Sequence, residues 1–179
     1  MSHSQAAAGV HDEVQPGSFA FMDSVYGKAL SDTTTGRAGG GFFAQSLFVA
    51  CTVISVSGDH AVVDAGTKAV DQLAGPPTVW RNPRWFPPLG AGGRGARGAG
   101  ADGMQPLEGI NYKCGGDEHG ILEGGAVGAL AVGDTLLLQP SHCDPTVNLH
   151  DAFVFVGSGQ DGAPALEAPV PIGARGPGC

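Results

Sequence analysis

The alternation of apolar and polar residues along the chain reads as a series of short strands. The strongest strand signal is LFVACTVISVS, residues Leu47–Ser57. It is rich in β-branched residues and apolar at nearly every position, which predicts a central strand covered on both faces. SGDH (Ser57–His60) is a tight-turn signal, and AVVDA (Ala61–Ala65) returns as its hairpin partner. Upstream, the alternation in GSFAFMD (Gly17–Asp23) predicts a first strand, and SDTTTGRAGGG (Ser31–Gly41) a polar loop.

Downstream, GTKAVDQLAG (Gly66–Gly75) is compatible with one helical turn or an ordered loop. A Pro-rich stretch begins at Pro76, and order is expected to resume at DEHGILEG (Asp117–Gly124). LAVGDTLLLQPSH (Leu130–His142) couples a VGD turn to a strand, and HDAFVFVGSGQ (His150–Gln160) predicts another. APALEAPVPIGARG (Ala163–Gly176) is read as a final edge segment, where prolines are tolerated. With almost no 3.6-residue period, the expectation is an all-β fold, an antiparallel barrel or sandwich with short helical turns and Gly-rich loop insertions. Its boundaries are a disordered lead-in over 1–16, a β-domain over 17–176 and a low-complexity insertion over 83–106.

Composition sharpens this picture. The 179 residues suffice for one domain with a core, and 31 glycines and 13 prolines match many turns and a Gly-rich insertion. The net charge of -8, with nine Lys and Arg spread along the chain, argues against a nucleic-acid partner. No apolar run approaches the ~20 residues of a membrane span. MSHSQAAAGVHDEV has neither the basic nor the apolar region of a secretory signal, so an intracellular, soluble protein is expected. The four cysteines, Cys51, Cys114, Cys143 and Cys179, form no C-x-x-C, which favours reduced thiols and excludes a zinc finger. The glycines and arginines of LGAGGRGARGAGADG (Leu89–Gly103) lack the flanking strand and helix of a phosphate loop.

Candidate chemistry concentrates in SHCDPTVNLHD, residues Ser141–Asp151. His142 and Asp144 stand at i, i+2, which at a strand end puts both on one face. Imidazole nitrogen with carboxylate oxygen suits Zn²⁺ or Mn²⁺ with positions left for water or substrate. Spacing by itself favours the plainer reading, turn hydrogen bonds around Asp144–Pro145. Ser141 has no nucleophile elbow around it, and Cys143 has no base identifiable from sequence. His119 is a second candidate, more simply read as a turn histidine. Asp64 reads as a turn cap and Lys68 as an ordinary lysine without an apolar pocket.

Several segments together resemble one family. GSFAFMD followed by Tyr26, AVVDAGTKAV, DEHGILE, VGDTLLLQPSHCDPTVNLHD and PVPIGARG occur in the order found in the C-terminal domain of D-threonine aldolase and eukaryotic-type D-serine dehydratase. The resemblance covers residues 16–176, apart from the Gly-rich insertions. It implies a pyridoxal-phosphate enzyme of the alanine-racemase type, with the cofactor lysine on an N-terminal barrel and a divalent metal on the β-domain. The implied metal ligands are His142 and Asp144. Aspartate at the second position is similar to the aldolases, where the dehydratases carry cysteine, so Cys143 is not the expected ligand.

The resemblance thus implies retro-aldol cleavage of D-threonine-type substrates to glycine and an aldehyde. An oxygen ligand favours Mn²⁺ or Mg²⁺ over the Zn²⁺ expected with thiolate. D-serine dehydration and a non-catalytic binding or scaffold domain are the alternatives, with a metallohydrolase using His119 as a third. None of Lys28, Lys68 and Lys113 lies in the family's cofactor-lysine context. Pyridoxal phosphate is therefore expected only through a missing or partner barrel domain, the intact protein being a homodimer. This chain is expected to be inactive alone, and to be cytoplasmic unless a missing N-terminal segment directs it to an organelle.

Overall fold

The computed structural model describes residues 17–31, 44–81, 104–158 and 164–173. Its strands are β1 (Val49–Ser57), β2 (His60–Val63), β3 (Thr78–Arg81), β4 (Gln105–Pro106), β5 (Asn111–Cys114), β6 (Gly120–Glu123), β7 (Thr135–Gln139), β8 (Ala152–Phe153), β9 (Val156–Ser158), β10 (Pro164–Leu166) and β11 (Val170–Pro171). Two short helices join them, α1 (Ser24–Ser31) and α2 (Cys143–Val147). Seven strands form one antiparallel sheet in the order β4-β3-β7-β1-β2-β6-β5. It curls into a half-barrel that brings β3 beside β5. The mostly-β, antiparallel class expected from the alternation is what the chain adopts.

The core lies on the inner side of this curl. Val49, Cys51 and Val53 of β1 pack with Val63, Val79, Leu122, Leu136 and Leu138. The β1–β2 hairpin turns at Gly58, whose φ of 37° suits a residue without Cβ. A register shift between Val53 and Ser55 interrupts the ladder. There the Asp64 carboxylate accepts the Thr52 N–H at 2.6 Å while Asp64 N–H donates to Thr52 O.

Several expectations are corrected. Strand β1 is central, but not covered on both faces: Ala50 is exposed and Ile54 is 42% exposed, alternating with buried Cys51 and Val53. The doubly covered strand is β7, where Leu136 through Gln139 are all buried. GSFAFMD is not a strand. It forms a 3-10 turn at Ser18–Ala20, then Met22 at φ 56°, then Asp23, which caps α1. The cap signal overrides the alternation, because Asp23 Oδ1 accepts the Tyr26 N–H at 2.9 Å.

The Pro-rich stretch contains a strand, β3, and two further strands, β4 and β5, precede Asp117. HDAFVFVGSGQ splits into β8 and β9, which pair with β11 and β10 as two small sheets. The proline-bearing final segment is thus an edge, as expected. Gly66–Gly75 is an ordered turn, with Ala69 and Val70 N–H donating to Gly66 O. The lead-in over 1–16 and residues 83–103 of the insertion lie outside the described residues, whereas Gln105–Pro106 at its end is β4.

Candidate metal centre

The end of β7 builds the polar cluster. Pro140 O accepts the Ser24 N–H at 3.1 Å, which fastens the start of α1 to the end of β7. Ser141 is buried, and its hydroxyl donates to Gly75 O at 2.5 Å, so it is a structural group. The strand does not continue through the motif. His142 is extended, at φ -139° and ψ 124°, and is the N-cap residue of α2, while Asp144 lies in its first turn. The two side chains therefore sit at a helix start and not on one strand face.

Thr146, buried, holds this arrangement from within the helix. Its hydroxyl donates to His142 O at 2.9 Å and accepts the Asp71 N–H at 3.2 Å. His150 Nε2 meets Ala69 O at 2.8 Å, a second tie between this region and the Gly66–Gly75 turn. An apolar groove of about 730 Å³, with Phe48, Leu137, Val147 and Phe153 among its walls, runs alongside.

Among the described residues, one group offers three metal-ligating atoms within 4.8 Å of one another: Asp23, His142 and Cys143. Asp23 is 1% exposed, and its Oδ2 stands 3.9 Å from His142 Nδ1. The His142 side chain is 43% exposed, so one part of the ring faces a buried carboxylate and another reaches solvent. Asp144 is exposed and outside this group of three, but adjoins it, because Cys143 Sγ donates to its Oδ1 at 3.2 Å. The Cys143 thiol is pushed up, first by burial and further by the hydrogen bond to Asp144 and by the charges of Asp144 and Asp23. Only a hydrogen bond from Ser18 opposes this. The fold thus disfavours the bare thiolate.

This donor set suits a divalent cation. A half-exposed imidazole with a buried carboxylate beside it, and Asp144 adjoining through Cys143, leaves room for an ion that also holds water or substrate. The same test fails for pyridoxal phosphate on the lysines whose side chains are described. Lys68 Nζ is 2.6 Å from Glu118, which holds its ammonium above the ordinary value, and Lys113 pairs with Glu123 at 3.6 Å; both are exposed. Neither is the desolvated amine a Schiff base requires.

His119 is exposed in the β5–β6 turn, where its carbonyl accepts the Gly115 N–H. Asp23 escaped the sequence reading as a site residue. Its only local signal was the helix-cap pattern DSVY, and its proximity to His142 is a tertiary fact. Cys51, Cys114 and Cys143 are free thiols. No helix among the described residues is long and apolar enough to cross a membrane.

A family model described as "Putative serine dehydratase domain" matches residues 46–156. The chain is 36% identical over 175 residues to the 3-hydroxy-D-aspartate aldolase of Paracoccus denitrificans, covering 97% of this chain and 37% of that protein. It is 38% identical over 157 residues to the D-threonine aldolase of an Arthrobacter species, covering 86% and 33%. The solved D-threonine aldolase from Filomicrobium marinum matches with a TM-score of 0.61 at 32% identity, over 92% of this chain and 36% of that one. A D-threo-3-hydroxyaspartate dehydratase from a Delftia species shares the fold, with a TM-score of 0.54 at 19% identity over 87% and 37%. This chain spans about a third of the length of the curated relatives it matches.

Proposed function

The chain belongs to the serine dehydratase domain family, and from that membership we propose that it is the metal-bearing β-domain of a D-threonine-aldolase-like lyase. The reaction is cleavage of a β-hydroxy D-amino acid to glycine and an aldehyde. The observation that carries this reading is the meeting of His142 with buried Asp23 and Cys143 at the β7–α2 junction, with Asp144 bonded to Cys143, in a chain similar to two curated aldolases.

His142 and Asp144 hold the ion. When bound, a divalent cation supplies Lewis-acid chemistry, lowering the pKa of a substrate hydroxyl or of water. Asp144 contributes a hard oxygen, which favours Mn²⁺ or Mg²⁺ over Zn²⁺. Thr146 fixes the His142 main chain. Pyridoxal phosphate does not fit Lys68 or Lys113. It belongs to a barrel domain, the partner implied by the longer relatives, and this chain by itself does not turn over D-threonine.

Equilibrium titration with Mn²⁺ tests the reading. The wild-type chain is expected to bind one ion, and His142→Ala and Asp144→Ala to weaken binding by tenfold or more. Indistinguishable titrations of the three proteins would refute it, leaving the scaffold reading. Glycine formed from D-threonine and pyridoxal phosphate by the chain alone would refute the assignment of the cofactor to another domain.

A further inference from the structure

We propose that Asp23 is a positioning residue for His142. Its buried carboxylate holds the imidazole as the Nδ1–H tautomer and leaves Nε2 free to take the ion. The proposal rests on the metal reading above and adds a residue and a mechanism to it.

The geometry has three parts. First, Asp23 is fixed. It is 1% exposed, its Oδ1 is committed to the Tyr26 N–H, and the neighbouring Ser24 N–H is bonded to Pro140 O. Second, His142 is fixed at its main chain, because Thr146 donates to its carbonyl. Third, the remaining oxygen, Asp23 Oδ2, faces Nδ1 of the ring and not Nε2, at 3.9 Å.

That separation is longer than a hydrogen bond, so the interaction is one of charge with dipole. Of the pair only the Asp23 carboxylate is buried, and such a carboxylate favours the ring nitrogen that presents its N–H over the one that presents a lone pair. A neutral imidazole has one lone pair to give. With the proton held on Nδ1, that lone pair is on Nε2. Metal-bound histidines commonly present their second N–H to a carboxylate in this way, and loss of the partner typically costs 10–100-fold in affinity.

The test uses the 179-residue chain. Asp23→Asn keeps the α1 cap, because asparagine caps as well as aspartate, and removes the charge. Asp23→Ser is a second capping variant that also shortens the side chain. Long-range ¹H–¹⁵N spectra of the metal-free proteins read the His142 tautomer, and Mn²⁺ titration reads affinity. Wild type is expected to show Nδ1–H, and the variants a shift toward Nε2–H with affinity tenfold lower or worse at an unchanged melting temperature.

An unchanged tautomer with weakened binding would make Asp23 a direct ligand and overturn the proposal. Unchanged affinity would overturn it as well, whatever the tautomer. The metal reading fails separately, by Mn²⁺ binding that His142→Ala leaves untouched, and that result takes this proposal with it.

Discussion

Arg81 Nη2 lies 2.8 Å from Asp134 Oδ2, joining the end of β3 to the turn that launches β7. The Asp134 side chain is 2% exposed and that of Arg81 11%, and the same oxygen accepts the Ala131 N–H at 3.1 Å. The pair therefore fixes where β7 begins, and the other end of β7 leads directly into His142.

Arg81→Met removes the cation and leaves a buried carboxylate without its charge partner. Destabilisation of about 3 kcal/mol is expected in urea unfolding. Adding Asp134→Asn should recover part of that loss, because the uncompensated charge disappears. A double variant less stable than the sum of the two single ones would contradict this account.

Gly120 faces Tyr112 across the β5–β6 pair. A Cβ there would collide with the Tyr112 ring and with Ala65 O, neither of which has room to retreat. Gly120→Ala should cost about 2 kcal/mol or more. Gly125→Ala, at a position where a Cβ meets nothing, should differ from wild type by less than about 0.5 kcal/mol. Comparable thermal shifts for the two would show that the close approach is not the cause.

Thr146→Val preserves shape and deletes the hydroxyl that joins His142 O to the Asp71 N–H. The buried groups left behind should cost about 2 kcal/mol. Mn²⁺ affinity should fall with stability, since the His142 main chain loses its restraint. Stability lost with full metal affinity would confine Thr146 to a packing role.

Two buried groups set the alkaline limit. Burial, then the charge of Asp64, pushes Cys51 from 9.0 up to about 12. Burial, then the charges of Cys114 and Cys51, pushes Tyr112 from 10.0 up to about 12, against the opposing hydrogen bond from Gln72. Above pH 9 the unfolded chain releases these protons first, so stability is full below pH 9 and falls as pH rises toward 12. A urea midpoint unchanged from pH 8 to pH 11 would contradict this. At pH 8, iodoacetamide should modify exposed Cys114 and spare buried Cys51 and Cys143, as read by peptide mass mapping.

Much of the sheet was legible because its signals are local. The β1–β2 hairpin follows from β-branched residues flanking SGDH, and β7 from an apolar run behind a VGD turn. The motif order carried the family, and His142 with Asp144 was singled out from the same segment. β3 was hidden by the prolines around it, and the break between β8 and β9 by one continuous apolar run. Gly17–Asp23 alternates like a strand, and the cap that Asp23 gives α1 shows only in the folded chain.

What the sequence by itself determined was the class of fold, the turns, and the segment bearing the candidate ligands, since period-two alternation and turn chemistry act over a few residues. Only the tertiary structure decided which face of β1 is covered, that β7 is enclosed on both sides, and that Asp23 stands 3.9 Å from His142. Those relations depend on strand order and on α1 docking to the end of β7. They join residues far apart in the chain, and no local pattern encodes such a distance.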